Sequence, residues 1–130
     1  MILMDTHVVI WLALEPGNIS KKARAAIEET RDQGQGLAIS DISLLEIAQI
    51  EGKRRIKLNS SLETFLSEVE ARFVVLPITG AVCVRAMAMP TSYPKDPADR
   101  VIGATAMVEG ISLVTADEDI RRSKALRTIW

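Results

Sequence analysis

The chain has 130 residues, 48% hydrophobic and 25% charged, with 16 Lys and Arg against 17 Asp and Glu for a formal net charge of −1. That length and balance predict one globular domain over residues 1–130 and exclude a globally basic nucleic-acid binder, leaving room only for a local basic patch. A single cysteine, Cys83, excludes an internal disulfide framework, and no apolar run approaches the roughly 20 residues that cross a bilayer, so a cytoplasmic protein without a membrane partner is expected.

Ile2-Leu3-Met4 is a short apolar run closed by Asp5-Thr6. It reads as a strand buried on both faces of a parallel sheet. Asp5 then stands at the strand's carboxyl end, where open α/β sheets form their ligand crevice. His7 to Leu14 predicts a helix that is apolar on all sides and needs cover from the sheet and from a partner subunit. Glu15-Pro16-Gly17-Asn18 stops it, and Ser20 caps a second helix to about Arg31. Leu37-Ala38-Ile39 is a second strand, and Ser40-Asp41 caps a helix over Ile42–Glu51 that ends at Gly52 as the residue just past the helix.

A basic stretch, Lys53-Arg54-Arg55-Ile56-Lys57, leads to Asn59-Ser60-Ser61, which caps a helix to about Arg72. Phe73–Leu76 is the third strand, and Thr79-Gly80 opens a helix to about Ala88. Asp96-Pro97-Ala98-Asp99 has the pattern of a helix start, with Gly110 ending that helix. Ile111–Thr115 is the fourth strand, a short helix lies near Glu118–Arg122, and Thr128-Ile129-Trp130 adds an edge strand. Strands alternating with helices predict an α/β fold around a parallel sheet.

Four acids stand out. Asp5 and Asp117 both follow strand ends, and each also suits a helix N-cap. Glu46 has Ile42 and Ile50 at i−4 and i+4, so it lies in an apolar stripe with no Lys or Arg within one turn. A carboxylate there must be paired, protonated or bound to a cation. Asp99 shares a face with Ile102, Gly103 and Ala106, where the lack of bulk leaves room for a ligand, whereas Asp96 is accounted for by capping. Acids converging without matched bases make sense around a hard cation, Mg²⁺ or Mn²⁺. Zinc is disfavoured because His7 is the only histidine and has no Cys/His spacing around it. Carboxylate-held Mg²⁺ suits phosphodiester hydrolysis.

Taken in order, Leu3-Met4-Asp5-Thr6-His7, Ile39 to Ala48, Asp96-Pro97-Ala98-Asp99-Arg100 and Leu113-Val114-Thr115-Ala116-Asp117 resemble the PIN-domain ribonucleases, and among them the VapC-like toxins of toxin–antitoxin pairs. The resemblance implies a three-layer α/β/α fold with a central parallel sheet of about five strands. It implies Asp5, Glu46, Asp99 and Asp117 as the catalytic and metal-binding quartet. It also implies an RNA substrate, a homodimer, and a small cognate antitoxin over the active-site groove. Lys53, Arg54 and Arg55 become candidates for an RNA-binding rim, with Thr115 and Arg100 as further candidates for substrate contact. The chain departs from many relatives at Pro94, where they carry a histidine two residues before the Asp-Pro pair. Trp11 reads as core or dimer interface rather than as a stacking platform. The leading expectation is a Mg²⁺-dependent endoribonuclease toxin; the alternative is a catalytically inactive binding module on the same fold. A receiver-like domain phosphorylated on Asp5 lacks an identifiable second acid and lysine.

Overall fold

A computed structural model describes residues 1–130. Five strands, β1 (Ile2–Met4), β2 (Leu37–Ser40), β3 (Val74–Leu76), β4 (Leu113–Val114) and β5 (Thr128–Ile129), form one sheet. Every pairing is parallel and the order is β3-β2-β1-β4-β5. Seven helices connect them: α1 (Thr6–Leu14), α2 (Lys21–Asp32), α3 (Ile42–Gly52), α4 (Leu62–Arg72), α5 (Gly80–Met87), α6 (Pro97–Glu109) and α7 (Glu118–Ser123).

Side-chain alternation along the strands builds the layers. Leu3 pairs with Ala38 on one side and Leu113 on the other, and all three turn to the face covered by Ile102 and Ala106 of α6 and Ile120 of α7. Met4, Ile39 and Val114 turn the opposite way, onto Val8 and Val9 of α1, Ala23 and Ile27 of α2, and Phe65 and Val69 of α4. α5 lies outside α6 through Val82, Ala86 and Ala104. α3 serves both layers, with Ile47 in the first core and Ile42 against the second. The three-layer α/β/α expectation holds.

Local signals act largely as read. Ser20 Oγ accepts from Ala23 N, Ser61 Oγ from Thr64 N and Thr79 Oγ1 from Val82 N, each closing an open helix start. Gly110 ends α6 in the left-handed region at φ 66°. Two details differ. Gly52 is the last residue of α3, and the left-handed position falls instead on Arg54 at φ 57°, where Arg55 N reaches back to Ile50 O. Asp41 does not cap α3. Its Oδ2 accepts from Ile78 N, tying the start of that helix to the loop after β3, while Ser40 Oγ accepts from Ile42 N. α1 finds much of its cover within the chain: Trp11 packs on Trp130, and Val9, Leu12 and Ala13 border a groove with Phe65 and Phe73.

The sheet order fixes where a ligand can sit. From β1 the chain steps outward through β2 to β3, then returns to the other side for β4 and β5. The reversal lies between β1 and β4, and a crevice opens beyond their carboxyl ends.

Candidate active site

At that reversal five carboxylates, Asp5, Glu46, Asp96, Asp99 and Asp117, open into one cleft of about 420 Å³, with His7 and Trp11 on its wall. Asp5 ends β1 and caps α1, which brings it to the floor, 8% exposed. Its two oxygens are separately held: Oδ1 accepts from Thr6 N at 2.8 Å and Oδ2 from Thr115 Oγ1 at 2.6 Å. Burial raises the Asp5 carboxyl above its ordinary range, partly offset by the Thr115 hydroxyl and then the Thr6 N–H, while nearby Asp117 adds to the rise.

Glu46 projects from α3 toward the same floor. The Thr6 hydroxyl donates to its Oε1 at 2.5 Å and lies 2.9 Å from the Ser43 hydroxyl. Burial is again the main cause that raises its carboxyl; the Thr6 bond opposes this, and the charges of Asp5 and Asp96 reinforce it. No guanidinium or ammonium pairs with Glu46, since the molecule's only ion pair is Arg122–Glu118 on the exposed face of α7.

Asp99 sits in the first turn of α6, where its N–H donates to Asp96 Oδ2 at 3.4 Å. Burial, followed by the charges of Asp5, Asp96, Asp117 and Glu46, pushes its carboxyl up to about 7. The Tyr93 hydroxyl donates to the Asp99 carbonyl at 2.8 Å. Asp117 caps α7 through Ile120 N at 3.0 Å, and its own N–H donates to Thr115 Oγ1 at 3.1 Å. Thr115 is therefore the link between the two strand-end acids.

The four acids singled out in the sequence thus share one cleft, and Asp96, assigned there to capping alone, caps α6 and faces the cleft as well. Other candidates are placed differently. Thr115 is fully buried and its hydroxyl is engaged by Asp5 and Asp117, so it supports the acids instead of meeting a substrate. Arg100 donates to the carbonyls of Pro94 and Ala86, bracing α6 against α5 and the preceding loop, on a different surface from the cleft. Lys53 and Arg55 line an adjoining cleft of about 460 Å³ that shares His7, Trp11, Glu46 and Asp96 with the first. Arg54 faces a separate hollow beside Lys57 and Ser60. The space beside Gly103 is filled by Tyr93, whose hydroxyl would lie 2.3 Å from any Cβ added there. The small-residue face of α6 is thus a packing seam, not a ligand pocket.

Sequence reading missed Thr6 and Ser43 as the hydroxyls facing Glu46. The signal was present: Thr6 follows Asp5 directly, and Ser43 precedes Glu46 by three residues on the same helix face.

The donor set is oxygen-only apart from one imidazole and has no thiolate, which fits a hard divalent cation. As placed, no three of these side chains are grouped closely enough to hold a metal ion between them. Mg²⁺ needs no such grouping, because it commonly keeps several waters and takes only one or two carboxylates directly.

Comparison with known proteins agrees with this architecture. The family model of the PIN domain matches residues 2–126. The chain is 37% identical over 131 residues to Ribonuclease VapC22 of Mycobacterium tuberculosis (strain ATCC 25618 / H37Rv), covering 99% of this chain and 98% of that protein. Among solved structures, VapBC2 from Rickettsia felis bound to a DNA fragment from its promoter aligns over 98% of this chain and 97% of that one, with a TM-score of 0.72 at 19% identity. DNA-bound VapBC from Salmonella typhimurium aligns over 98% and 97% with a TM-score of 0.69 at 21% identity. At such identities these structures share the fold with this chain.

Proposed function

The chain belongs to the PIN-domain family, and from that premise we propose that it is a divalent-metal-dependent endoribonuclease, the toxin of a toxin–antitoxin pair. The observation that carries this reading is the meeting of Asp5, Glu46, Asp99 and Asp117 at the sheet's reversal point with no base to neutralise them. The 37% identity to a named ribonuclease supports the same activity.

In this reading Asp5, Glu46, Asp99 and Asp117 hold Mg²⁺ or Mn²⁺. Such a cation neutralises charge on the phosphodiester and makes an attacking water more acidic. The chain's residues do the rest. Thr6 and Thr115 fix the orientation of Asp5, and Thr6 also holds Glu46, so these two acids are held in place at the cleft floor. The sheet floor, with Leu3, Met4 and Val114 fully buried, keeps bulk water from behind Asp5. Lys53 and Arg55 offer the cations at which an RNA backbone enters.

The similarity to VapBC complexes supports a small antitoxin as partner. Self-association fits α5, where Val84 and Met87 lie three residues apart and are 73% and 83% exposed. No helix is long and apolar enough to cross a membrane. We assign the activity to the cytoplasm, where substrate RNA and a reducing environment for the unpaired Cys83 occur together.

Expression in a bacterial host tests the proposal. The chain alone is expected to arrest growth and degrade RNA, and Asp99→Ala at equal abundance is expected to do neither. Arrest that persists undiminished in Asp99→Ala would instead favour an inactive binding module.

A further inference from the structure

We propose that the cleft between α1 and the end of α3 seats a nucleobase of the substrate strand against the Trp11 indole, beside a backbone held by Lys53 and Arg55. The inference rests on the ribonuclease reading and adds to it a base-binding position.

His7 and Trp11 lie four residues apart on α1 and so share one face, and both line the adjoining cleft together with Glu15 just past the helix end. His7 and Trp11 also line the acidic cleft, which makes the two spaces continuous along α1. Trp11 is half-buried, so part of the ring is held and part is open. Trp130 holds it from one side, with ring centres 5.8 Å apart and planes inclined by 49°, and His7 flanks it at 6.0 Å and 54°. A ring fixed in this way loses little conformational freedom on binding a ligand.

The chain has two Trp, two Phe and one Tyr. Trp11 is the one member of that set on the wall of either cleft. Charge gives the strand a direction of approach. Five carboxylates line the first cleft and Glu15 joins the second, so a polyanion meets repulsion everywhere except at Lys53 and Arg55. Both line the second cleft from the segment just after α3. A strand anchored there shares its cleft with Trp11, which also walls the cleft that holds Asp5. An aromatic face next to cations, leading to a hydrolytic centre, suits a single strand with an unstacked base.

The test uses an Asp99→Asn protein in Mg²⁺, so that bound RNA stays uncut, and two probes: a mixed-sequence single-stranded decaribonucleotide and a ribose-phosphate decamer of equal length without bases. The RNA is expected to quench Trp11 fluorescence, read in a Trp130→Phe background, and the abasic decamer to bind without quenching. Trp11→Ala is expected to weaken RNA binding by roughly 5- to 150-fold, the range for loss of one stacked base, with affinity for the abasic decamer unchanged. Trp11→Phe should recover most of that loss. Lys53→Ala and Arg55→Ala should each lower the slope of log affinity against log salt by about 0.7 for both probes. Equal affinity of Trp11→Ala and its parent for RNA, or RNA binding with no quenching of Trp11, overturns the base seat while leaving the ribonuclease reading in place. A protein segment as occupant would give that same result. Failure of the parent to bind either probe overturns both.

Discussion

Two threonine hydroxyls govern the acids. Thr115 Oγ1 donates to Asp5 Oδ2 and accepts from Asp117 N, and Thr6 Oγ1 donates to Glu46. Neither is exposed, so replacing either acts through the carboxylate it holds. Thr115→Val keeps the shape and removes the donor, leaving Asp5 Oδ2 without its hydrogen bond in a buried site. The expected loss is about 1–3 kcal/mol of stability, read from the denaturant midpoint. Affinity for Mn²⁺, measured by calorimetry, should fall by roughly 10- to 100-fold, the usual cost of removing a group that orients a metal ligand. Arg100→Ala should leave Mn²⁺ affinity unchanged, because its guanidinium is bound to the Pro94 and Ala86 carbonyls. At this scale Glu46 was legible from sequence because it lay in an apolar stripe with no local base, and Asp5 and Asp117 because each followed a strand end. The hydroxyls were not, because a threonine beside a helix start reads as a cap until its partner, distant in sequence by 40 residues for Thr6–Glu46 and 110 for Thr115–Asp5, is in view.

Among the elements, α6 carries the most constraint on the site. Its first turn bears Asp99, its middle is the fully buried run Ile102 to Ala106, and Tyr93 lies across Gly103 to reach the Asp99 carbonyl. A methyl at 103 would lie 2.3 Å from the Tyr93 hydroxyl and 3.0 Å from Met89 Cε, so the ring and the loop before α6 would have to move. Overpacking at Gly103→Ala is expected to cost about 1–3 kcal/mol, offset in part by the roughly 1 kcal/mol that alanine gains over glycine in a helix, for a net loss of up to about 2 kcal/mol. Tyr93→Phe should lose about 0.5–1.5 kcal/mol with the same packing retained. Thermal unfolding of both variants checks these values. The elements themselves were readable to within a residue or two because their caps are local: Ser20, Ser61, Thr79 and Gly110 act within four residues of where they sit. The seam at Gly103 was misjudged as open space, since helix periodicity shows which residues share a face but not what fills it. Trp11 packs against the first core, as its apolar neighbours on α1 suggested, and what those neighbours did not show is that it also lines both clefts.

For the molecule as a whole, the cost of burying acids, and then of gathering them, appears as pH dependence. The Asp99 carboxyl is pushed from its ordinary 3.8 up to about 7, and Asp5 and Glu46 shift in the same direction. Between those limits the metal-free folded chain retains a proton that the unfolded chain has released. Its stability should therefore fall as pH rises from about 4 to about 7 and level off above. In EDTA the melting temperature is expected to be lower at pH 7.5 than at pH 5, with a shallower slope for Asp99→Asn. Millimolar Mg²⁺ should raise it more at pH 7.5 than at pH 5, because a cation binds the ionised form. A metal-free melting temperature that rises over this interval would mean the acids are not held together against their repulsion.

The most direct test is what the purified chain does to RNA when one acid at the cleft floor is neutralised. End-labelled single-stranded RNA is incubated with the wild type and with Asp5→Asn, in Mg²⁺ and in EDTA, and initial cleavage rates are compared. Cleavage by the wild type that stops in EDTA, and falls by a factor on the order of 10² or more in a folded Asp5→Asn protein, is the predicted result. Equal rates for wild type and Asp5→Asn in saturating Mg²⁺ would contradict it.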